Sequence, residues 1–292
     1  MKKIFIALAL LFTLLITQAS ASKFNYQVGS VVESEVIFGK KDKFPLPPGK
    51  FKVAVIHRKN EFKDIMLYQI DKNNTLIWAI QFYATGHTEW DWWNGPKWCE
   101  RTNVYFIKKK KGNKKYACWM VNHSRSNIGA NKGFWKKVRD YEIASNVNMP
   151  SILVYASWEY SKGSKVWGAS YYYNPEQDGI PKPKNLEWDT NEFHIQKIKN
   201  YPKHKEFLNK FISVSASYVD QLNKNLKVKG SLTLNPQENF SQETIKVQKN
   251  EVKKSSDTNT SIVEEIKNLK ELLDAGAITK EEFEKAKKKL LN

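Results

Sequence analysis

Short runs of β-branched and aromatic residues, separated by turn residues, constrain the fold of this chain more than any other feature. Turn chemistry is clear in the Pro-rich segment 45–49 and in Lys72-Asn73-Asn74. The runs that we expect to form strands are 24–38, 51–58, 65–70, 76–83, 102–108, 115–122, 152–160 and 166–173. Runs this close in sequence pair as hairpins, so the pattern predicts a mostly antiparallel sheet.

Two segments instead have apolar residues at helical spacing. Segment 132–146 carries Phe134, Val138 and Tyr141 at intervals of three or four. Segment 203–226 has a longer stripe, formed by Phe207, Phe211, Val214, Tyr218 and Leu222. The predicted fold class is α+β: a mostly antiparallel sheet covered by one or two helices, in a domain that spans 22–234. The order of the strands does not follow from the pattern.

The first residues are typical of a secretory signal peptide. Lys2 and Lys3 precede an apolar run at 4–16, and Ala19-Ser20-Ala21 is a small-residue cleavage pattern. The apolar run is short for a hydrocarbon layer of about 30 Å, although an uncleaved anchor is the alternative. We expect a signal peptide at 1–21, no transmembrane segment after its cleavage, and a secreted or periplasmic location.

The two cysteines are too few for a disulfide-framework fold or for a four-thiolate zinc site. In an oxidising compartment Cys99 and Cys118 are expected to form a disulfide bond, with metal binding as the alternative. Closing a loop of that size stabilises a fold by roughly 3 kcal/mol.

The formal net charge is +18, and 44 of the 48 basic residues are lysines. A lysine bias with many asparagines is typical of an A/T-rich coding sequence, so the charge alone indicates no partner. The scarcity of arginine argues against sequence-specific nucleic-acid recognition, which uses bidentate contacts. Segment 22–234 has 35 basic and 19 acidic residues and a net charge of +16, which favours an anionic envelope polymer as a salt-dependent partner.

The C-terminal part of the chain divides into a linker and a helical hairpin. Segment 235–260 is rich in Gln, Asn, Glu, Lys, Ser and Thr, and we expect it to be a disordered linker. Segment 261–292 contains two capping boxes, Ser261 with Glu264 and Thr279 with Glu282, and Gly276 stops the first helix. The predicted interaction seam of this hairpin consists of Ile266, Leu269, Leu272, Leu273, Ile278, Phe283 and Leu290.

The tail also resembles a known family. Residues 269–291 read LKELLDAGAITKEEFEKAKKKLL, which is similar to the SHOCT domain, a short bacterial C-terminal module. The chain departs mildly from the family pattern at Ala277. The resemblance implies self-association or docking to a protein partner, and it brings no catalytic residues. A unit this small must cover its apolar seam with another surface.

Segment 87–99 contains four tryptophans beside two acidic residues. Its candidate ligand-binding residues are His87, Glu89, Trp90, Asp91, Trp92, Trp93 and Trp98. Because indole rings stack on sugar faces and carboxylates bind hydroxyl groups, these residues suggest a glycan site. The alternative is that the tryptophans fill a β-rich core.

Two further features bear on function. His87, Glu89 and Asp91 alternate, so on a strand they would share one face, and a metal-dependent hydrolase is therefore the enzyme alternative. Arg125 lies in a polar stretch after a predicted strand and is a candidate for the rim of a pocket, with an ordinary loop as the alternative. The sequence indicates no catalytic residue and no cofactor, and it favours a binding protein over an enzyme.

Overall fold

The computed structural model describes residues 24–59, 62–85, 96–126, 133–228, 270 and 280–291. The chain separates into two compact units, Met1–Asn235 and Pro236–Asn292. The predicted signal peptide and linker lie outside the described residues, so both remain predictions. Within the described residues, no helix is both long and apolar enough to cross a membrane.

The described part of the first unit contains ten strands and two α-helices. The strands are β1 (Val31–Val32), β2 (Glu35–Phe38), β3 (Asp42–Pro45), β4 (Phe51–Lys59), β5 (Phe62–Ile70), β6 (Leu76–Thr85), β7 (Phe106–Gly112), β8 (Lys115–Arg125), β9 (Ile152–Lys162) and β10 (Lys165–Tyr173). The helices are α1 (Gly133–Ala144) and α2 (Pro202–Asn225), and helix α3 (Lys280–Leu291) belongs to the second unit.

Eight strands form one antiparallel sheet in the order β1-β4-β5-β6-β10-β9-β8-β7, and β2 pairs with β3 in a separate hairpin. The sheet consists of two meanders, β4-β5-β6 and β7-β8-β9-β10, which join where β6 pairs with β10, and of the short edge strand β1, which pairs with β4. The predicted α+β fold with a mostly antiparallel sheet is confirmed. The two α-helices of this unit also fall within two residues of their predicted bounds.

Helix α2 packs on one face of the sheet, which we call the helix face. The Phe211 ring lies 6.1 Å from Trp78, and the Tyr218 ring stacks on Tyr171 at 5.1 Å. Four of the five residues predicted for the apolar stripe are buried, but Val214 is 38% exposed. The stripe is displaced toward Leu208, Ile212 and Val219, which are buried and leave Val214 on the solvent side.

The opposite face carries the candidate site, and we call it the cleft face. Helix α1 covers part of it through Val138, which packs in a cluster with Met66, Tyr68 and Leu153. This face is less apolar than the helix face, because buried Ser, Gln, Asp and Glu side chains project from its central strands. An alternating strand with polar residues on one face normally exposes that face to water. Here the polar residues are buried.

Four strand predictions were wrong in their bounds. Strand β5 begins at Phe62, three residues before its predicted start, and β8 ends at Arg125, three residues after its predicted end, so Arg125 lies in the strand and not in a loop after it. Segment 24–38 is not one strand, because Ser34 has a φ of 66° and interrupts the extended run between β1 and β2. The predicted strand 102–108 begins only at Phe106 and continues to Gly112, so Lys109, Lys110 and Lys111 also lie in the strand. Strand β7 is an edge of the sheet, where a run of lysines discourages pairing with another chain.

Candidate ligand-binding site

The site lies on the cleft face, where the register of the sheet brings polar residues of separate strands into rows. In one row Gln81 of β6 faces Ser170 of β10, which faces Ser157 of β9. The hydroxyl groups of Ser157 and Ser170 are 2.8 Å apart and hydrogen-bonded. The three side chains are 7 to 9% exposed. They form a nearly buried floor of neutral hydrogen-bonding groups.

Aromatic side chains surround this floor. The Tyr155 and Tyr172 rings lie 5.3 Å apart on neighbouring strands, and the Tyr172 ring also meets Trp135 of helix α1 at 6.3 Å. Trp98 and Trp188 complete the aromatic part of the lining. Aromatic rings offer a large, rigid apolar surface for a flat or ring-shaped ligand.

A disulfide bond holds Trp98 at the cleft. Trp98 belongs to a short 3₁₀ helix, Lys97–Glu100, and the Cys99 side chain in this helix is bonded to Cys118 of β8. The Cα atoms of the two cysteines are 6.1 Å apart. The predicted Cys99–Cys118 pair is therefore present, and it attaches the short 3₁₀ helix that contains Trp98 to strand β8 of the sheet.

Two arginines lie at the rim. The charge of Arg101, beside the Tyr155 hydroxyl, partly offsets the rise in the tyrosine pKa that burial causes. Arg125 pairs with Glu187 at an Nη2 to Oε2 distance of 2.9 Å, with side chains that are 45% and 64% exposed. Among the described residues that line the cleft there is no carboxylate.

The cleft has a volume of about 830 Å³. This volume lies inside the range of about 300–1,000 Å³ that small-molecule sites occupy. The combination of aromatic walls, a neutral polar floor and guanidinium groups at the rim can hold a ring-shaped ligand that has several hydroxyl groups. The described lining includes a single imidazole, that of His123.

Two buried acids lie beside the floor. The amide of Gln81 donates to both carboxylate oxygens of Asp64 at 3.1 Å, and the Tyr83 hydroxyl donates to Oε2 of Glu159. Burial raises the pKa of each carboxyl group to about 7, although these hydrogen bonds act in the opposite direction. Oε1 of Glu159 has no hydrogen-bond partner among the described residues. Gln81 and Tyr83 thus line the cleft and contact one buried acid each.

His123 anchors one side of the cleft as a neutral group. Its ring stacks on Trp188 with centroids 5.0 Å apart, and burial lowers its pKa to about 4. Nδ1 is 2.8 Å from the Tyr105 hydroxyl, and Nε2 is 3.0 Å from the Trp188 carbonyl oxygen. Nε2–H therefore donates to the carbonyl and Nδ1 accepts from the tyrosine. This histidine has a positioning role for Trp188.

The structure brings together two of the residues that the sequence predicted as ligand-binding. Trp98 and Arg125 both line the cleft. The other candidates, His87, Glu89, Trp90, Asp91, Trp92 and Trp93, lie outside the described residues. Their role in a glycan site or in a metal site therefore stays a prediction. Among the described residues, no group of three or more His, Cys, Asp or Glu side chains is placed to hold a metal ion.

Sequence reasoning missed most of the cleft. The missed residues are Gln81, Tyr83, Arg101, Asn103, Met120, His123, Ser124, Tyr155, Ser157, Ser170, Tyr172 and Trp188. One signal was available: β9 reads Tyr155-x-Ser157-x-Glu159-x-Ser161, so every second residue of a hydrophobic strand carries a polar atom. In a strand buried on both faces, that alternation marks a face that contacts something other than an apolar core.

The second unit is the part of the chain that comparison identifies. The SHOCT model, short C-terminal domain, matches residues 264–291. The match agrees with the resemblance of the tail, and SHOCT is a short domain of suspected interaction role. No curated protein and no solved structure matches the chain.

The SHOCT segment is described structurally only in its last helix. Helix α3 covers Lys280–Leu291, which contains the predicted second helix of the hairpin. Of the predicted seam, Phe283 is buried, and Leu290 lies in the same helix. Ile266, Leu269, Leu272, Leu273 and Ile278 lie outside the described residues. The hairpin and its seam remain predictions.

Proposed function

We propose that this chain is an exported bacterial envelope protein that binds a saccharide in the cleft of its first unit and associates through its SHOCT segment. The observation that carries the proposal is the cleft itself. It combines Tyr155, Tyr172 and Trp98 with the hydroxyl and amide groups of Ser157 and Gln81. Sugars present both an apolar ring face and several hydroxyl groups, and this lining offers a partner for each.

Secretion or a periplasmic location is supported by one feature of the sequence and one of the structure. The first residues have the charge, the apolar run and the cleavage pattern of a signal peptide. The Cys99–Cys118 bond is of the kind that persists in oxidising compartments.

Association through the SHOCT segment is supported by the sequence of the tail. Its predicted seam is apolar on one side, and a hairpin of about thirty residues is too small to bury such a seam by itself. Self-association and docking to a protein partner are both consistent with that argument. The net charge of the tail is zero, with 7 basic and 7 acidic residues in 261–292, so apolar contact is the expected driving force.

The saccharide proposal is tested by calorimetric titration of the purified chain with a panel of neutral and acidic tetrasaccharides. We expect at least one of them to bind, and we expect Trp98→Ala to lower its affinity about 10-fold because a stacking surface is lost. Trp167→Ala is the matched control, because Trp167 lies on the helix face, stacked on Tyr160. If no saccharide binds, or if both variants lose affinity equally, the proposal is wrong.

A further inference from the structure

We propose that the cleft selects saccharides that carry ring carboxylates, such as hexuronic acid units, and that Arg101 and Arg125 hold these carboxylates. The inference rests on the proposed saccharide-binding function and adds the ligand class. It follows from which basic residues the cleft contains, from what Arg125 already binds, and from where Arg101 lies.

The cleft uses arginine in a chain that otherwise uses lysine. Only 4 of the 48 basic residues are arginines, and both Lys or Arg side chains that line the cleft are arginines. A compositional bias toward lysine would place lysine at a rim that needed only positive charge. Guanidinium differs from ammonium in its planar fork, which matches a carboxylate with two parallel hydrogen bonds.

Arg125 is already engaged with a carboxylate at the edge of the cleft. Its partner Glu187 accepts a hydrogen bond at 2.9 Å, and both side chains are about half exposed or more. An ion pair with this much exposure contributes little to stability, so a ligand carboxylate can displace Glu187 at small cost. The Arg125–Glu187 pair shows that a carboxylate can bind to Arg125 at the rim of the cleft.

The guanidinium of Arg101 lies beside Tyr155, a buried residue of the site. It is next to the Tyr155 hydroxyl, and Tyr155 is 8% exposed and forms part of the aromatic wall. Arg101 itself is exposed. A charged side chain that already rests against the wall of the cleft loses less side-chain entropy when it meets a ligand.

The uncharged floor of the cleft favours a sugar acid as the ligand over a polyanion that has no hydroxyl groups. Ser157, Ser170 and Gln81 carry no charge, and they line the same cleft as the two arginines and the tyrosine rings. An acidic polypeptide or inorganic phosphate would engage the arginines but would make no use of the hydrogen-bonding capacity that remains on these three side chains. A uronate ring offers hydroxyl groups to the floor, a ring face to Tyr172 and a carboxylate to the rim.

The test compares uronate tetramers with their carboxyl-reduced counterparts, which keep the same ring hydroxyl groups and carry a neutral hydroxymethyl group in place of each carboxylate. The panel contains tetramers of galacturonate, mannuronate and guluronate, titrated by calorimetry in buffer of physiological ionic strength. For the protein, we expect at least one uronate to bind about 10-fold more tightly than its reduced form. Arg101→Gln and Arg125→Gln should each lower the ratio of uronate affinity to reduced-form affinity about fivefold.

Two variants sharpen the test. Glu187→Gln releases Arg125 from its partner, so it should raise uronate affinity severalfold without changing the binding of the reduced tetramer. Lys110→Gln is the charge control, because Lys110 is exposed on edge strand β7. It should leave both affinities within about twofold of the original, because exposed charges far from a ligand are screened at this ionic strength.

The outcomes separate this inference from the proposed function. If a uronate and its reduced form bind with equal affinity, the selection for carboxylates is wrong but the saccharide site stands. If Lys110→Gln weakens uronate binding as much as the arginine variants do, general attraction of a basic domain explains the result and the inference is wrong. Competition by inorganic phosphate or by polyglutamate at equal concentration would also contradict it. If neither form of any tetramer binds, the saccharide function itself fails.

Discussion

The ring of Tyr83 occupies the space in which any residue other than glycine at position 168 would place its Cβ atom. A Cβ built on Gly168 would lie 2.0 Å from Cζ of Tyr83. The two residues are directly paired across β6 and β10, and Gly168 is paired in turn with Glu159 on β9. The absence of a side chain at Gly168 therefore lets Tyr83 cross one strand and donate its hydroxyl to Glu159.

We expect Gly168→Ala to lower the free energy of unfolding by about 2–4 kcal/mol, because the ring must move and Glu159 loses its donor. In a Tyr83→Ala background the same substitution should cost less than about 1 kcal/mol, because the ring is absent. Urea denaturation of the four proteins gives the coupling. Gly112→Ala is the control, since its Cβ would meet open space. Equal costs of Gly168→Ala in the two backgrounds would contradict the packing relationship.

The stability of the protein should depend on pH in an unusual direction because two acids are buried. In the native state the pKa of Asp64 and of Glu159 is raised to about 7. Between about pH 4 and 7 the native state thus keeps protons that the unfolded chain releases, and stability falls as pH rises through that window. His123, with its pKa lowered to about 4, acts in the opposite direction between about pH 4 and 6.5.

Replacing one acid isolates its share of this dependence. The effect of Glu159→Gln on the free energy of unfolding should be more favourable at pH 8 than at pH 5 by on the order of 3 kcal/mol. The reason is that the native protein carries a buried negative charge at pH 8, and the variant does not. Glu35→Gln removes a half-exposed surface pair with Lys43 and should change stability by less than about 1 kcal/mol at both values. Thermal melts at the two pH values measure both. An equal effect of Glu159→Gln at pH 5 and pH 8 would show that the buried carboxylate is not responsible.

Loss of the disulfide should affect both stability and the cleft. The double variant Cys99→Ala/Cys118→Ala frees a loop with a sequence separation of 19 residues, and we expect a loss of roughly 3 kcal/mol. Because Trp98 is adjacent to Cys99, saccharide affinity should fall as well. Urea denaturation of the unsubstituted protein with and without reductant checks the effect on stability. If its urea midpoint is the same with and without reductant, the bond does not stabilise the fold.

Deletion of residues 236–292 should change the assembly of the protein without changing the stability of the first unit. The two units are compact by themselves, so the urea midpoint of the remaining chain should stay the same. The mass in solution should fall to that of a monomer if the SHOCT segment self-associates. Light scattering of both forms measures this. Equal monomer masses, together with no recovered partner in pull-downs of the longer form, would contradict an association role.

The sequence predicted the elements of this fold better than it predicted the site. Runs of β-branched and aromatic residues bounded by turn residues located β4, β5 and β9, and the helical period located α2, because both patterns are local. The floor of the cleft is not local: Gln81 and Ser170 are neighbours only because β6 pairs with β10. The order of the strands depends on which hairpins pair with each other, and the local sequence pattern does not predict that pairing. Trp98 and Arg125 were predicted from side-chain chemistry alone.

The stacking of His123 on Trp188 illustrates the same limit. The two residues are 65 positions apart, and Trp188 lies in an irregular segment with no periodicity to place it. The prediction that Val214 is buried was wrong for a different reason. Apolar residues at helical spacing predict which face of a helix is buried, but not how wide a part of that face the sheet covers.

A crystal structure of the chain grown with tetragalacturonate would show whether the cleft face holds a saccharide. We expect sugar density against Tyr172 and Trp98, with a carboxylate on Arg125 in place of Glu187. Density for the tetramer along the lysines of edge strand β7, with the cleft unchanged, would contradict it.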